Sequence, residues 1–119
     1  MRTGFEVVGA DLFADADLDG ACPITKIENY PSGFADWLAA QDVDAWMYTG
    51  ALENYPDLVD RMATLKPLWG VGGEALRRCR DPLVLQDTFA ASTVGFPETL
   101  PLDRKQAGEG TWLAKTYRH

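Results

Sequence analysis

The chain has 119 residues, 46% hydrophobic and 24% charged, which suffices for one globular domain with a modest core. Eighteen acids against eleven bases leave a net charge of -7, and no basic block interrupts that deficit, so nucleic acid and anionic membrane surfaces are excluded as partners. No apolar run approaches the ~20 residues a spanning helix needs.

The first residues, Met1-Arg2-Thr3-Gly4, lack a signal-peptide pattern, and the expected compartment is cytoplasmic. Cys22 and Cys79 belong to no CxxC pair and read as reduced packing residues. His119 is the sole histidine, so neither a histidine-based metal cluster nor a catalytic triad is available.

In chain order, Phe5-Glu6-Val7-Val8-Gly9-Ala10 reads as a short buried strand running into Asp11. Residues 11–20 alternate acids with small and apolar residues, which predicts an irregular loop or a short weak helix. Ile24-Thr25-Lys26-Ile27 is an expected edge strand, introduced by Pro23 and closed by Asn29-Tyr30-Pro31. Ser32 is an expected N-cap for a helix that carries Phe34, Trp37 and Leu38 on one face.

Ala45-Trp46-Met47-Tyr48-Thr49 is strand-like and ends at Gly50. A stronger helix signal follows Asn54. Pro56 lies in its first turn, Leu58, Val59, Met62 and Leu65 line one face, and Pro67 ends it, with Asp57 and Arg61 spaced as an i,i+4 pair. Leu68-Trp69-Gly70-Val71 reads as another short strand. A helix from about Glu74 turns Leu76 and Cys79 inward, and Asp81-Pro82 starts a new one with Leu85 and Phe89 on its face. Residues 94–110 read as a linker, and Thr111-Trp112-Leu113-Ala114 as a last strand.

Strands separated by helix-length segments predict an α/β fold, a mostly parallel sheet with flanking helices. Beginning and ending on a strand, it reads as incomplete at both ends.

Chemistry-bearing positions are few. Gly50-Ala51-Leu52-Glu53-Asn54 follows a predicted strand and precedes a helix, the place where open α/β sheets bind ligands, and Gly50, Glu53 and Asn54 are the candidate ligand loop. The structural reading of the same residues is a helix cap and a solvated acid. Gly70-Val71-Gly72-Gly73 matches neither the dinucleotide nor the P-loop spacing, and Asp11 reads as structural. Asp15, Asp17 and Asp19 lack the closing Glu and turn Gly of a calcium loop. Glu74, Arg77, Arg78, Arg80 and Asp81 read as a solvated charge run with mutual pairs. No catalytic or metal-ligating residue is expected, and Lys115, after an apolar strand, is by pattern an ordinary lysine.

Taken together, several words resemble one family. Tyr48-Thr49-Gly50-Ala51-Leu52-Glu53-Asn54-Tyr55-Pro56 resembles the "YTGxLEN-x-P" segment of ATP-grasp proteins described as predicted ATP-dependent carboligases. Pro67-Leu68-Trp69-Gly70, then Glu74-Ala75-Leu76-Arg77 through Arg80-Asp81-Pro82, continue that order, and Ala10-Asp11-Leu12-Phe13-Ala14-Asp15 resembles its second strand and loop. Nearly the whole chain is covered.

The resemblance implies a Rossmann-like pre-ATP-grasp domain over residues 1–95, lacking its first βα unit. Residues 96–119 would then be a linker and the first strand of a missing ATP-grasp domain. Gly110-Thr111-Trp112-Leu113-Ala114-Lys115 resembles the family's "WLxKP" segment, which assigns Lys115 to nucleotide phosphate, although Thr116 stands where proline is usual.

The intact family joins a carboxylate to a nucleophile, commonly an amine, through an acylphosphate made with ATP and magnesium. The expectation is therefore a fragment of a ligase, inactive alone and with no cofactor of its own. Its partners would be the missing ATP-grasp domains, or a second copy through a 111–117 strand. The alternative is a small non-enzymatic ligand-binding or docking domain of the same fold.

Overall fold

The computed structural model describes residues 4–102 and 110–115. It is mixed α/β: β1 (Gly9–Asp11), α1 (Ala16–Asp19), β2 (Ile24–Lys26), α2 (Gly33–Ala40), a 3-10 turn (Gly50–Asn54), α3 (Pro56–Leu65), α4 (Gly73–Arg80) and α5 (Pro82–Ala90). The chain forms two compact units, each from two stretches. One holds the residues up to Tyr48 with Asp60–Gly70, the other Thr49–Val59 with the residues from Val71 onward.

In the first unit, β1 and β2 pair in parallel with Gly9 opposite Ile24, Ala10 opposite Thr25 and Asp11 opposite Lys26. The ladder is extended at each end by Gly9 N–H donating to the Pro23 carbonyl at 2.9 Å and Ile27 N–H to that of Asp11 at 2.8 Å. β1 stops where it does because the Asp11 carboxylate turns back on its own chain. It accepts from the N–H groups of Phe13 at 2.7 Å and Ala14 at 2.9 Å, a side-chain turn that outcompetes continued pairing.

The core of this unit is Ile27, Phe34, Ala35, Leu38, Trp46 and Met62. Phe34, Ala35 and Leu38 are the i, i+1, i+4 stripe of α2, and Tyr30 meets Phe34 edge-on at 5.8 Å. Trp46 is fixed by its backbone and by its ring. It forms a parallel bridge with Leu68, its N–H donates to the Pro67 carbonyl at 2.9 Å, and its indole N–H donates to that of Lys66 at 3.0 Å. A buried indole satisfied in this way incurs no unpaired-donor cost.

In the second unit the buried apolar residues are Leu52, Val59 and Leu76, one each from the 3-10 turn, α3 and α4. α5 begins on Asp81, whose carboxylate accepts from Leu83 N–H at 2.9 Å and Val84 N–H at 3.4 Å, with Pro82 in the first turn where no N–H is needed. Phe89 stacks on Phe96 with ring centroids 5.5 Å apart.

Several expectations from sequence are corrected. The strand over residues 5–10 narrows to Gly9–Asp11, and the segments 45–49 and 68–71 reduce to the single Trp46–Leu68 bridge. Pro67 has no N–H to extend that bridge backward, and Gly50 and Gly70 close the two segments after it. The sheet among the described residues is therefore two-stranded and parallel.

Residues 111–115 are exposed and form no strand; positions 116 and 117 lie outside the described residues. Ser32 precedes α2 but makes no side-chain cap bond, because its backbone is already helical and its hydroxyl donates to the Asn29 carbonyl instead. Leu65 and Cys79, expected inward, are exposed. Cys79 lies three positions beyond buried Leu76 but on the side of it away from Gly73 and half-buried Arg80, off the inward face of α4.

Candidate functional site

The turn at Gly50–Asn54 is built by three backbone requirements. Thr49 is extended (φ -132°, ψ 158°), Gly50 then takes φ +67°, and the chain winds through one 3-10 turn to Tyr55, whose N–H donates to the Leu52 carbonyl at 2.9 Å. A left-handed residue directly after an extended one reverses the chain sharply, and glycine does this without a Cβ penalty. Leu52 points inward and is buried. Its neighbours Glu53 and Asn54 remain at the surface or half-buried, immediately before Pro56 opens α3.

α4 supplies the arginines that bond this turn and the start of α3. Gly73, Leu76, Arg77 and Arg80 recur at i, i+3, i+4 and i+7, so one face carries a buried glycine and leucine and then two arginines. Both arginines lie in the last turn, where a cation also suits the helix dipole. Arg80 Nη2 donates to Asn54 Oδ1 at 2.6 Å, and Nη1 approaches Glu53 Oε1 at 3.4 Å. Asn54 Nδ2 in turn donates to the Ala51 carbonyl at 3.1 Å, so its amide is held from both ends. Arg77 makes an ion pair with Asp57 one turn further along. The expected Asp57–Arg61 pairing on α3 is thus replaced by a bond to α4.

Gly50, Glu53 and Asn54 lie on one 3-10 turn. Asn54 is not simply a helix cap, since its side chain bonds the turn and Arg80. Arg80 was missed: within the run from Glu74 to Asp81 it looks like one more solvated charge. The signal that marks it is its place at i+4 from Leu76, on the buried stripe of an otherwise polar helix. The mutual pairs expected within that run are made instead to the 50–57 segment.

Lys115 lies on the exposed, irregular segment 111–115, and among the described residues it makes no hydrogen bond or ion pair with the turn. Nor do the described residues include three carboxylate, histidine or cysteine side chains grouped to hold a metal. No described helix is long and apolar enough to cross a membrane.

An open groove of about 290 Å³ is lined by Gln86, Phe89, Ala90, Ser92, Val94, Gly95 and Phe96. Gln86 accepts the Thr99 N–H through its Oε1, and the groove carries no charged side chain.

Comparison with protein families, with curated proteins and with solved structures finds no match to this chain.

Proposed function

We propose that this chain is the substrate-side, Rossmann-like domain of an ATP-grasp ligase that joins a carboxylate to an amine, and that it does not turn over alone. One observation carries the reading: residues 48–56, which hold the family-like word, have a geometry that uses each of its unusual residues. Gly50 provides the left-handed turn, Pro56 opens the helix, and Glu53 and Asn54 are presented on the turn between them. ATP and magnesium supply the phosphoryl transfer in such enzymes. This chain's own contribution is to present hydrogen-bonding groups to the acceptor. Lys115 is assigned to nucleotide phosphate by resemblance alone, and its partner surfaces would be the ATP-grasp domains or a second copy.

The test has two arms on the purified chain. A coupled assay for ADP, with ATP, magnesium and a panel of small carboxylates, amines and polyols, is expected to read zero. Amide chemical shifts recorded with the same panel are expected to move at residues 50–54. Sustained ADP release sinks the claim of inactivity, and shifts confined to the 86–96 groove sink the assignment of the turn. A tight, specific ligand at the turn in a chain that no ATP-grasp partner completes would favour a non-enzymatic binding domain.

A further inference from the structure

Arg80 distributes its two contacts unequally. Its short bond, 2.6 Å, goes to the neutral amide of Asn54, and its long one, 3.4 Å, to the carboxylate of Glu53. Both bonds are charge-assisted on the guanidinium side, and the one to the carboxylate is the longer and looser of the two. Here the amide fixes the plane of the guanidinium, while the ion pair beside it is loose and accessible: the side chains of Arg80 and Glu53 are 36% and 54% exposed. Among the described residues, the remaining guanidinium protons and the second carboxylate oxygen of Glu53 are unengaged, so a donor edge and an acceptor edge of opposite charge lie side by side.

We propose that Glu53 and Arg80 form the recognition pair for an α-amino acid, the ammonium meeting Glu53 and the carboxylate meeting Arg80, with Asn54 as the positioning residue that holds the guanidinium. This rests on the reading of the Gly50–Asn54 turn as the substrate-side loop. Opening a long, solvent-exposed ion pair costs little, and two charge-assisted bonds replace it. Glu53 and Arg80 carry opposite charges side by side, which favours a ligand bearing both charges over a simple anion or cation. Geometry also sets the length of the ligand: the two protein charges are in near contact, so the ligand's charges must sit on adjacent groups, as in an α-amino acid and not in an ω-amino acid.

The experiment follows the amides of residues 50–54 and the Arg80 guanidinium Nε–H by NMR. The intact chain is titrated to tens of millimolar with glycine, acetate, methylammonium and ε-aminocaproate. Glycine is expected to shift both sets of signals, and neither half-molecule nor the long amino acid to reproduce the pattern. R80Q and E53Q should each weaken glycine binding by roughly tenfold to a hundredfold, the loss for a hydrogen bond to a charged group. R80K keeps the charge without the fork and should restore part of it, which a merely structural arginine would not do. Should R80Q unfold, E53Q and R80K carry the test, because Glu53 is exposed and its replacement is isosteric.

Equal shifts with acetate alone, or glycine binding unchanged in E53Q, overturn the proposal. A turn that responds to some other compound but not to glycine overturns it too, while leaving the substrate-side reading in place. Silence of the turn toward every compound removes both.

Discussion

Replacing Gly50 tests whether the backbone of the turn is what the structure requires. The residue has φ +67°, and a Cβ built on it meets no atom within 4 Å. Gly50→Ala therefore has no steric clash to relieve, and its cost is conformational. Holding an L-residue in the left-handed region costs roughly 1–2 kcal/mol. Against that, alanine narrows the unfolded ensemble and returns about 0.4–1 kcal/mol.

The balance is a destabilisation of about 1 kcal/mol. Gly50→Asn should lie near zero, because asparagine visits this region readily, and Gly50→Val should cost more than alanine, because β-branching worsens the strain. Urea unfolding followed by tryptophan fluorescence measures the series, and a shift of about 4 °C in Tm per kcal/mol is expected for a chain of this size. The order Asn, Ala, Val is the diagnostic. An alanine variant as stable as the parent, or a valine variant no worse than asparagine, would refute the left-handed turn.

Asp81→Ala removes the acceptor for two N–H groups at the start of α5 and should cost ~1 kcal/mol, measured by the same unfolding assay, whereas Asp81→Asn should retain most of it. Leu38→Ala empties a site that is 1% exposed and should cost roughly 2–5 kcal/mol, while Leu113→Ala, at a position 80% exposed, should change stability by less than about 0.5 kcal/mol. The free thiol of Cys79 is exposed and that of Cys22 half-buried, so a thiol reagent should show one fast and one slow phase, with Cys79→Ser removing the fast one. Breaking the Asp57–Arg77 pair with Asp57→Asn should cost under ~1 kcal/mol and leave no difference in high salt, since both side chains retain solvent contact.

Features set by one residue and its immediate neighbours were legible in the sequence. Asp81-Pro82 starts a helix because a carboxylate and a missing N–H solve the same local problem, and Gly50 turns the chain because a Cβ is penalised there. The apolar stripes of α2 and α3 announced Phe34, Leu38, Val59 and Met62 as core, while the alternation of acids in residues 11–20 left an irregular loop and a short weak helix equally open, and the structure has a helix at Ala16–Asp19.

What depended on partners distant in sequence was decided only by the tertiary structure. β-branched or aromatic runs at 5–8, 45–49, 68–71 and 111–114 have strand propensity, but a strand exists only where another backbone lies in register, and Gly9–Asp11 with Ile24–Lys26 is the pair that achieves it over three residues. The electrostatics divided in the same way. Sequence spacing offers Asp57 the cation on its own helix, whereas packing delivers Arg77, and it delivers Arg80 to Glu53 and Asn54 from 27 and 26 positions away. Charge runs are read from neighbours along the chain, but ion pairs form between neighbours in space, and which face of α4 meets the turn is settled by the burial of Leu76.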